Sequence, residues 1–241
     1  MQSVPQASTG NLLLRTLEAG DYALLAPEFE RVDMPLRTPL FEPDVPIEHV
    51  YFPEGGVSSV LTDQEGNDPV EFGLFGADGM SGTAVLLHAG QSPHRCFVQM
   101  DGATMLRIRS YVLLDACSKS ATLHAVLLNF IHTLTVQTAA TASANAHYEL
   151  PERLARWLLM CHDRTEGDRL DLTHEFMAQM LAVRRSGVTV TLHTLEATGA
   201  IRSTRGLVSI VDRARLKEVA GESYGSPERE YARLIAPFGK G

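Results

Sequence analysis

Cysteine is scarce in this 241-residue chain. The three present, Cys96, Cys117 and Cys161, lie far apart and form no CxxC pair. That removes the ligand spacing of an iron–sulfur cluster or structural zinc site, and the even cysteine set of a disulfide framework. Reduced thiols fit a cytoplasmic setting. Long apolar runs are missing too, none approaching the roughly 18–20 residues of a membrane-spanning helix. The opening segment MQSVPQASTGNLLLRTL has no basic start followed by a long apolar core, so it does not read as a signal peptide. Catalytic constellations are equally absent. Gly79-Met80-Ser81-Gly82 approaches a nucleophile elbow, but Thr83 occupies the last glycine position of GxSxG. No acid–base or nucleophile set is otherwise visible, and no enzyme is expected. Among the nine histidines, His162 and His174 with Cys161 make the nearest candidate metal cluster. Each reads as well as a surface or hydrogen-bonded residue, so neither metal nor cofactor is assigned.

What remains is ordinary globular composition, 44% hydrophobic and 21% charged. The net charge of −8 is unevenly spread. Residues 1–175 carry 11 Lys/Arg against 23 Asp/Glu. Residues 176–217 reverse the balance, with Arg184, Arg185, Arg202, Arg205, Arg213, Arg215 and Lys217 against Glu196 and Asp212. Positive charge gathered in one segment is the footprint of phosphate contact. An acidic remainder repels DNA and would confine contact to that segment.

Leucines at near-helical spacing predict a short helix over 11–26, closed by Pro27. From 28 to 109 the texture is β: 49–53, 57–62, 70–75, 95–100 and 103–108 read as short strands. Turn signals separate them at Pro53-Glu54-Gly55-Gly56, Glu65-Gly66-Asn67-Asp68 and Asp101-Gly102. Strands this short and close favour a sandwich or small barrel over a parallel α/β sheet. Between them, Gly76-Ala77-Asp78-Gly79-Met80-Ser81-Gly82 is a glycine-rich turn entering a short helix. From 110 to about 147 the pattern is helical. Leu123, Leu127, Phe130, Leu134, Gln137, Thr141 and Ala144 recur at alternating steps of four and three, a heptad-like seam. The pattern alone fits a core helix and a dimer helix equally; the surrounding architecture favours the dimer. Pro151 opens a further helix over 151–163, which places a domain boundary near 148–151.

The most informative stretch is LTHEFMAQMLAVRRSGVTVTLHTLEATGAI, residues 172–201. Thr173 is a good N-cap and Glu175 lies in the first turn of a helix at about 174–181. A turn at Ala182-Val183 leads into a second helix from about 184 to 197, which Gly199 ends. Two short helices so joined, the second opening on Arg184-Arg185-Ser186, follow the helix-turn-helix plan. Residues 201–212 read as a two-stranded β-wing turning at Arg205-Gly206, with Arg202 and Arg205 toward phosphates.

Residues 172–216 resemble the DNA-binding domain of the Crp/Fnr family of bacterial transcription regulators. VRRSGVTVTLHTLEATGAI, the arginine-bearing hairpin and DRARL carry the likeness, which extends more weakly over most of the chain. The resemblance implies an α+β chain in three parts. Residues 1–109 would be a cyclic-nucleotide-binding-like β jelly-roll sensor (a double-stranded β-helix), 110–148 a dimerisation helix, and 149–241 a winged helix-turn-helix domain. It implies a cytoplasmic homodimer on a palindromic double-stranded operator, with RNA polymerase as a further partner where the protein activates, and no membrane. Arg185 matches the arginine that reads guanine at the start of the recognition helix. Ser186 stands where many members have Glu, and Val190 where many have a second base-reading Arg, so the operator should differ. Arg184, Thr189 and His193 complete the groove-facing side.

For the sensor, the resemblance places a ligand phosphate on the donors of Gly79, Ser81, Gly82 and Thr83, completed by Arg95. The glutamate that usually binds the ribose is absent. The effector stays open among a cyclic mononucleotide, another small or nucleotide ligand, and none. Arg95 reads alternatively as a strand arginine paired with a carboxylate. The rival for the whole chain is a ligand-binding signalling module whose C-terminal helices contact protein rather than DNA.

Overall fold

Asn11 starts the first helix: its side chain accepts the Leu14 N–H at 3.0 Å and its amide donates to the carbonyls of Pro53 and Gly79. The resulting α1 (Leu12–Arg15) is short, because Glu18 is extended and a second helix, α2 (Ala19–Leu25), begins beyond it. The single helix expected over 11–26 is thus two. This break lets Leu13, Leu14 and Leu17 from the first part and Tyr22 and Leu25 from the second reach one core. The computed structural model of the chain describes residues 4–62, 69–100 and 103–240. The turns expected at 65–68 and 101–102 lie outside the described residues.

Among the described residues seven strands follow, with one short α-helix among them: β1 (Glu30–Met34), β2 (Pro39–Phe41), β3 (His49–Pro53), β4 (Val57–Thr62), β5 (Glu71–Phe75), α3 (Thr83–Leu86), β6 (His94–Met100) and β7 (Ala103–Arg109). They form two antiparallel sheets, ordered β1-β7-β3 and β2-β6-β4-β5. Phe29, Val50, Phe52, Val60, Phe75, Val98, Leu106 and Ile108 fill the sandwich between them. The strands β1 and β2 fall where the sequence predicts none. Both are edges; β1 alternates charged exposed residues with half-buried ones, and β2 is three residues opening on a proline. Short, charged or proline-marked edges are how sheets avoid pairing further. Their weak patterning is therefore part of their role.

The helix expected over 110–147 is also divided, into α4 (Ser110–Lys119) and α5 (Ala121–His147). Ser120 adopts an extended conformation between them; its hydroxyl accepts the Leu123 N–H at 3.1 Å and donates to Asp21. An N-cap serine competes with helix continuation by satisfying a free N–H. In α5 the heptad seam faces inward. Leu123, Leu127 and Phe130 are buried in the sensor core, and the Gln137 side chain accepts the Leu74 backbone N–H at 2.8 Å. A Cβ on Gly73 would sit 3.2 Å from Leu134, and the Thr141 hydroxyl accepts from Arg156. Of the six residues expected at a dimer interface, Leu123, Leu127, Phe130 and Gln137 are buried within their own chain, and Leu134 and Thr141 are half-buried against it.

The C-terminal part comprises α6 (Leu150–His162), β8 (Arg169–Leu170), α7 (His174–Met180), α8 (Arg185–Ala197), β9 (Ile201–Thr204), β10 (Leu207–Ile210), α9 (Arg213–Ala220) and α10 (Ser226–Leu234). α6 opens with a reciprocal cap between Glu149 and Glu152 and a proline in its first turn. Its apolar residues Leu154, Leu158 and Cys161 share a second core with α7, α8 and the wing. That core also takes in Val57, Leu61, Leu74 and Met100 of the four-stranded sheet. The helical part is docked on the sensor through apolar contact, and buried polar contacts cross the same seam. Trp157 Nε1 donates to Glu71 at 2.7 Å, and Tyr231 on α10 donates to the Asp78 carbonyl at 2.6 Å. No helix among the described residues is long and apolar enough to cross a membrane.

Candidate nucleic-acid interface

Local chemistry builds the two-helix unit. The Thr173 hydroxyl accepts the Phe176 N–H at 3.1 Å and starts α7. At the other end Ala182 takes a left-handed conformation (φ +52°), and the Val183 N–H returns to the Ala178 carbonyl at 2.9 Å. With the Ala182 N–H donating to the Gln179 carbonyl at 3.2 Å, that bond closes α7 and reverses the chain. Arg184 is extended and heads α8 without a side-chain cap, since a guanidinium has no acceptor. The Gly187 N–H returns to the Arg184 carbonyl at 2.9 Å, so the capacity for an outside anion rests with the N–H groups of Arg185 and Ser186.

α8 has two faces. Val188, Thr191, Leu192 and Leu195 are buried against the rest of the domain. Arg185, Ser186, Val190, His193, Thr194 and Ala197 are exposed, and Thr189 is half-buried. Of the residues expected to face DNA, Arg184, Arg185, Ser186 and His193 thus lie on open surface. Among the described residues the Arg185 side chain makes a loose 3.8 Å approach to Glu175, both side chains being mostly in solvent. Such an exposed pair contributes little, and Arg185 remains free to engage another partner. The Thr189 hydroxyl is shared between His174 at 2.9 Å and the Arg185 carbonyl at 3.1 Å. Gly199, with φ +79°, ends α8, and Arg215 donates to the Thr198 carbonyl at the same terminus.

The wing forms as a three-stranded sheet, β8-β10-β9, rather than the two strands expected. Gly206 supplies the left-handed turn residue (φ +75°). Arg202 and Arg205 are exposed. Sequence reasoning missed Arg169, which the added strand sets opposite Ser209, itself opposite Arg202. The row Arg169–Ser209–Arg202 puts two cations on one face; the only signal was the short RLDL alternation before the first helix. One cation of the basic segment is not available. Arg213 lies inside, donating to Asp163 at 2.6 Å and to the Tyr224 hydroxyl at 2.9 Å beside His162.

Of the residues expected to hold a phosphate in the sensor, Ser81 and Gly79 are engaged within the chain. The Ser81 hydroxyl accepts the Tyr51 N–H at 3.0 Å, and the Ser81 N–H donates to the Tyr51 carbonyl. The Gly79 N–H returns to Gly76, and a Cβ there would stand 2.4 Å from the Phe130 ring, so this glycine permits close packing on α5. Gly82 and Thr83 turn into α3, where the left-handed Gly82 backbone (φ +67°) packs on Ile47 and Val50. Arg95 alternates along β6 with the buried Cys96 and Val98 and so points away from the sandwich. It pairs with Glu42 at 2.9 Å, in a cleft lined by Arg37, Thr62, Phe97, Phe176 and Gln179. None of the cleft's lining residues comes from 79–83.

Neither thiols nor histidines form a metal centre among the described residues. The three cysteines are buried, which raises their thiols, Cys117 to about 11. His162 is held by Asp168 and Arg213, and His174 by Thr189.

Residues 152–219, from α6 through α9, match the family model of the Crp-like helix-turn-helix domain. Solved structures of Crp/Fnr-type regulators extend the likeness to the whole architecture. FixK2 from Bradyrhizobium japonicum superposes with a TM-score of 0.67 at 14% identity, over 80% of this chain and 98% of its own. The c-di-GMP-responsive global regulator CLP from Xanthomonas campestris gives 0.64 at 17%, over 80% and 99%. TTHB099, a CRP-family transcriptional regulator from Thermus thermophilus, gives 0.65 at 18%, over 80% and 97%. At these identities the shared property is the fold: a β sensor domain, a long helix and a C-terminal helix-turn-helix. No curated protein matches the sequence.

Proposed function

We propose that this chain is a sequence-specific DNA-binding transcription regulator acting as a homodimer on a palindromic operator. The observation that carries the reading is the division of α8 within a Crp-like helix-turn-helix domain. Its apolar side is consumed by the domain core, while Arg185, Ser186, Val190 and His193 stand in solvent. In this docking mode the N-terminal residues of the second helix enter the major groove, and an arginine there donates two hydrogen bonds to guanine O6 and N7. Arg185 takes that role. Arg184, Thr173 and the wing residues Arg202 and Arg205 hold phosphates; Thr189 and His193 flank the base-reading positions.

With the Leu123–Ala144 seam turned inward, the dimer uses the opposite side of α5. Ala121, Ala125, Leu128, His132, Thr135, Ala139, Ala142 and Ala146 are all exposed and recur at steps of four and three. Small residues on such a stripe let two helices approach closely, and Leu128 supplies an apolar knob. The inward side of the same helix lies against Phe75, Leu74 and Gly79 of the sensor. A change in the sensor would therefore reach the spacing of the two recognition helices through α5. Half-sites one DNA turn apart, about 34 Å, respond to that spacing.

Selection of bound duplexes from a random pool tests the reading. It should enrich a two-fold symmetric sequence with half-sites about 10 base pairs apart, bound by a dimer in sedimentation equilibrium. No enrichment, together with a strictly monomeric protein, would favour a protein-contact module instead.

A further inference from the structure

Val190 has no structural reason to be valine. Its side chain is 67% exposed in the middle of α8 and contributes to neither core. A β-branched residue loses χ1 freedom in a helix and is a poor choice where packing does not require it. It follows Ser186 by one turn, precedes His193 by three residues, and lies on the side of α8 opposite Val188, Leu192 and Leu195. The neighbouring hydroxyls fold back on the helix, Thr189 to the Arg185 carbonyl and Thr194 to the Val190 carbonyl at 3.2 Å. The centre of the presented face is therefore apolar, between the guanidinium of Arg185 and the imidazole of His193.

We infer that Val190 is a specificity-determining residue that reads a thymine in each half-site through the thymine C5-methyl group. This rests on the DNA-binding reading above and deepens it. Valine carries no donor or acceptor, and in the major groove the one apolar group that an unmodified base edge offers is the thymine methyl. The single helical rotamer of valine holds its two methyls in a fixed place, which favours a defined contact over a general greasy one. Burying a methyl against a methyl, at about 0.8 kcal/mol per CH2-sized group, converts to about fourfold in affinity per half-site. Arg185 specifies guanine, Val190 specifies thymine, and the operator departs from one read by two arginines.

The test uses the full-length protein and a duplex obtained by selection. Each thymine in one half-site is replaced in turn by deoxyuridine, which deletes the methyl and nothing else, and affinity is measured by fluorescence anisotropy. Wild type should lose about fourfold at one position, whereas Val190→Ala should bind the thymine and uracil duplexes equally there. Val190→Gln should move preference at that base pair toward adenine, whose N6 and N7 pair with an amide. The inference is overturned if no thymine methyl matters to wild type, or if Val190→Ala keeps the full methyl sensitivity. Failure of wild type to bind any duplex would instead remove the DNA-binding reading, and this inference with it.

Discussion

Arg164 and Asp78 form a two-pronged ion pair inside the protein. Arg164 Nη2 donates to one carboxylate oxygen at 2.7 Å and Nε to the other at 3.1 Å, with side-chain exposures of 4% and 3%. Asp78 belongs to the sensor turn before α3, and Arg164 lies just beyond α6. The Phe238 ring stacks on the guanidinium at 4.7 Å, and Gly76 is the residue whose missing side chain lets Arg164 approach. The pair thus ties the helix-turn-helix part to the β sandwich at a point shielded from water.

Removing one partner should be costly, because the other is left charged and buried. Arg164→Ala and Asp78→Ala are each expected to lower stability by about 3–5 kcal/mol. Replacing both together, Arg164→Met with Asp78→Ala, should cost less than either single change. Urea unfolding of the three variants checks this. Single variants within about 1 kcal/mol of wild type would show that the pair does not hold the domains together.

A second link across the seam is sensitive to pH. Burial pushes the Glu71 carboxyl up to about 7, although Ser59 and Trp157 hydrogen bonds oppose the shift. The unfolded chain releases this proton near 4.3. Between the two values the folded state binds the extra proton, so stability falls as pH rises from about 4.5 to 7 and levels off beyond. The loss amounts to at most about 4 kcal/mol at 1.36 kcal/mol per unit. Glu71→Gln should abolish this part of the slope and equal or exceed wild type above pH 7.5. Urea midpoints for both proteins at pH 5, 6, 7 and 8 decide it; parallel slopes would contradict it.

The contact between Gly79 and Phe130 makes a prediction about the long helix. A methyl at position 79 would meet the Phe130 ring at 2.4 Å. Gly79→Ala should therefore destabilise by about 1–3 kcal/mol, the usual cost of overpacking. Adding Phe130→Leu should recover part of that loss, and thermal unfolding of the pair and both singles would reveal the coupling. Additive effects would mean that the turn does not bear on α5.

How far the sequence was readable varies with how local the cause is. Thr173, Gly199 and the Arg205-Gly206 turn act on their immediate neighbours, and the helix-turn-helix and wing lie close to where spacing puts them. Strands β3 and β4 match to the residue, since alternation and turn signals are also local. The inward orientation of the α5 seam was not readable. A heptad pattern says which residues share a face, but the partner of that face is chosen by the docked sensor, through contacts such as Gln137 with Leu74. The packing of the sensor turn was unreadable for a similar reason: its partners Tyr51, which pairs with Ser81, and Phe130, which lies on Gly79, are distant in sequence. Arg213 reads in sequence as one of the basic cluster, and Asp163 and Tyr224, 50 and 11 residues away, enclose it.

The claim on which the rest depends is that α8 and its wing lie against duplex DNA. Binding of wild type and of Arg184→Ala/Arg202→Ala to a random duplex, measured by anisotropy from 50 to 300 mM salt, tests it most directly. Affinity should fall linearly in log–log form, and the double variant should lose about two from the slope for each protomer engaged. Binding that is absent at 50 mM salt, or that shows the same slope in both proteins, would contradict the account.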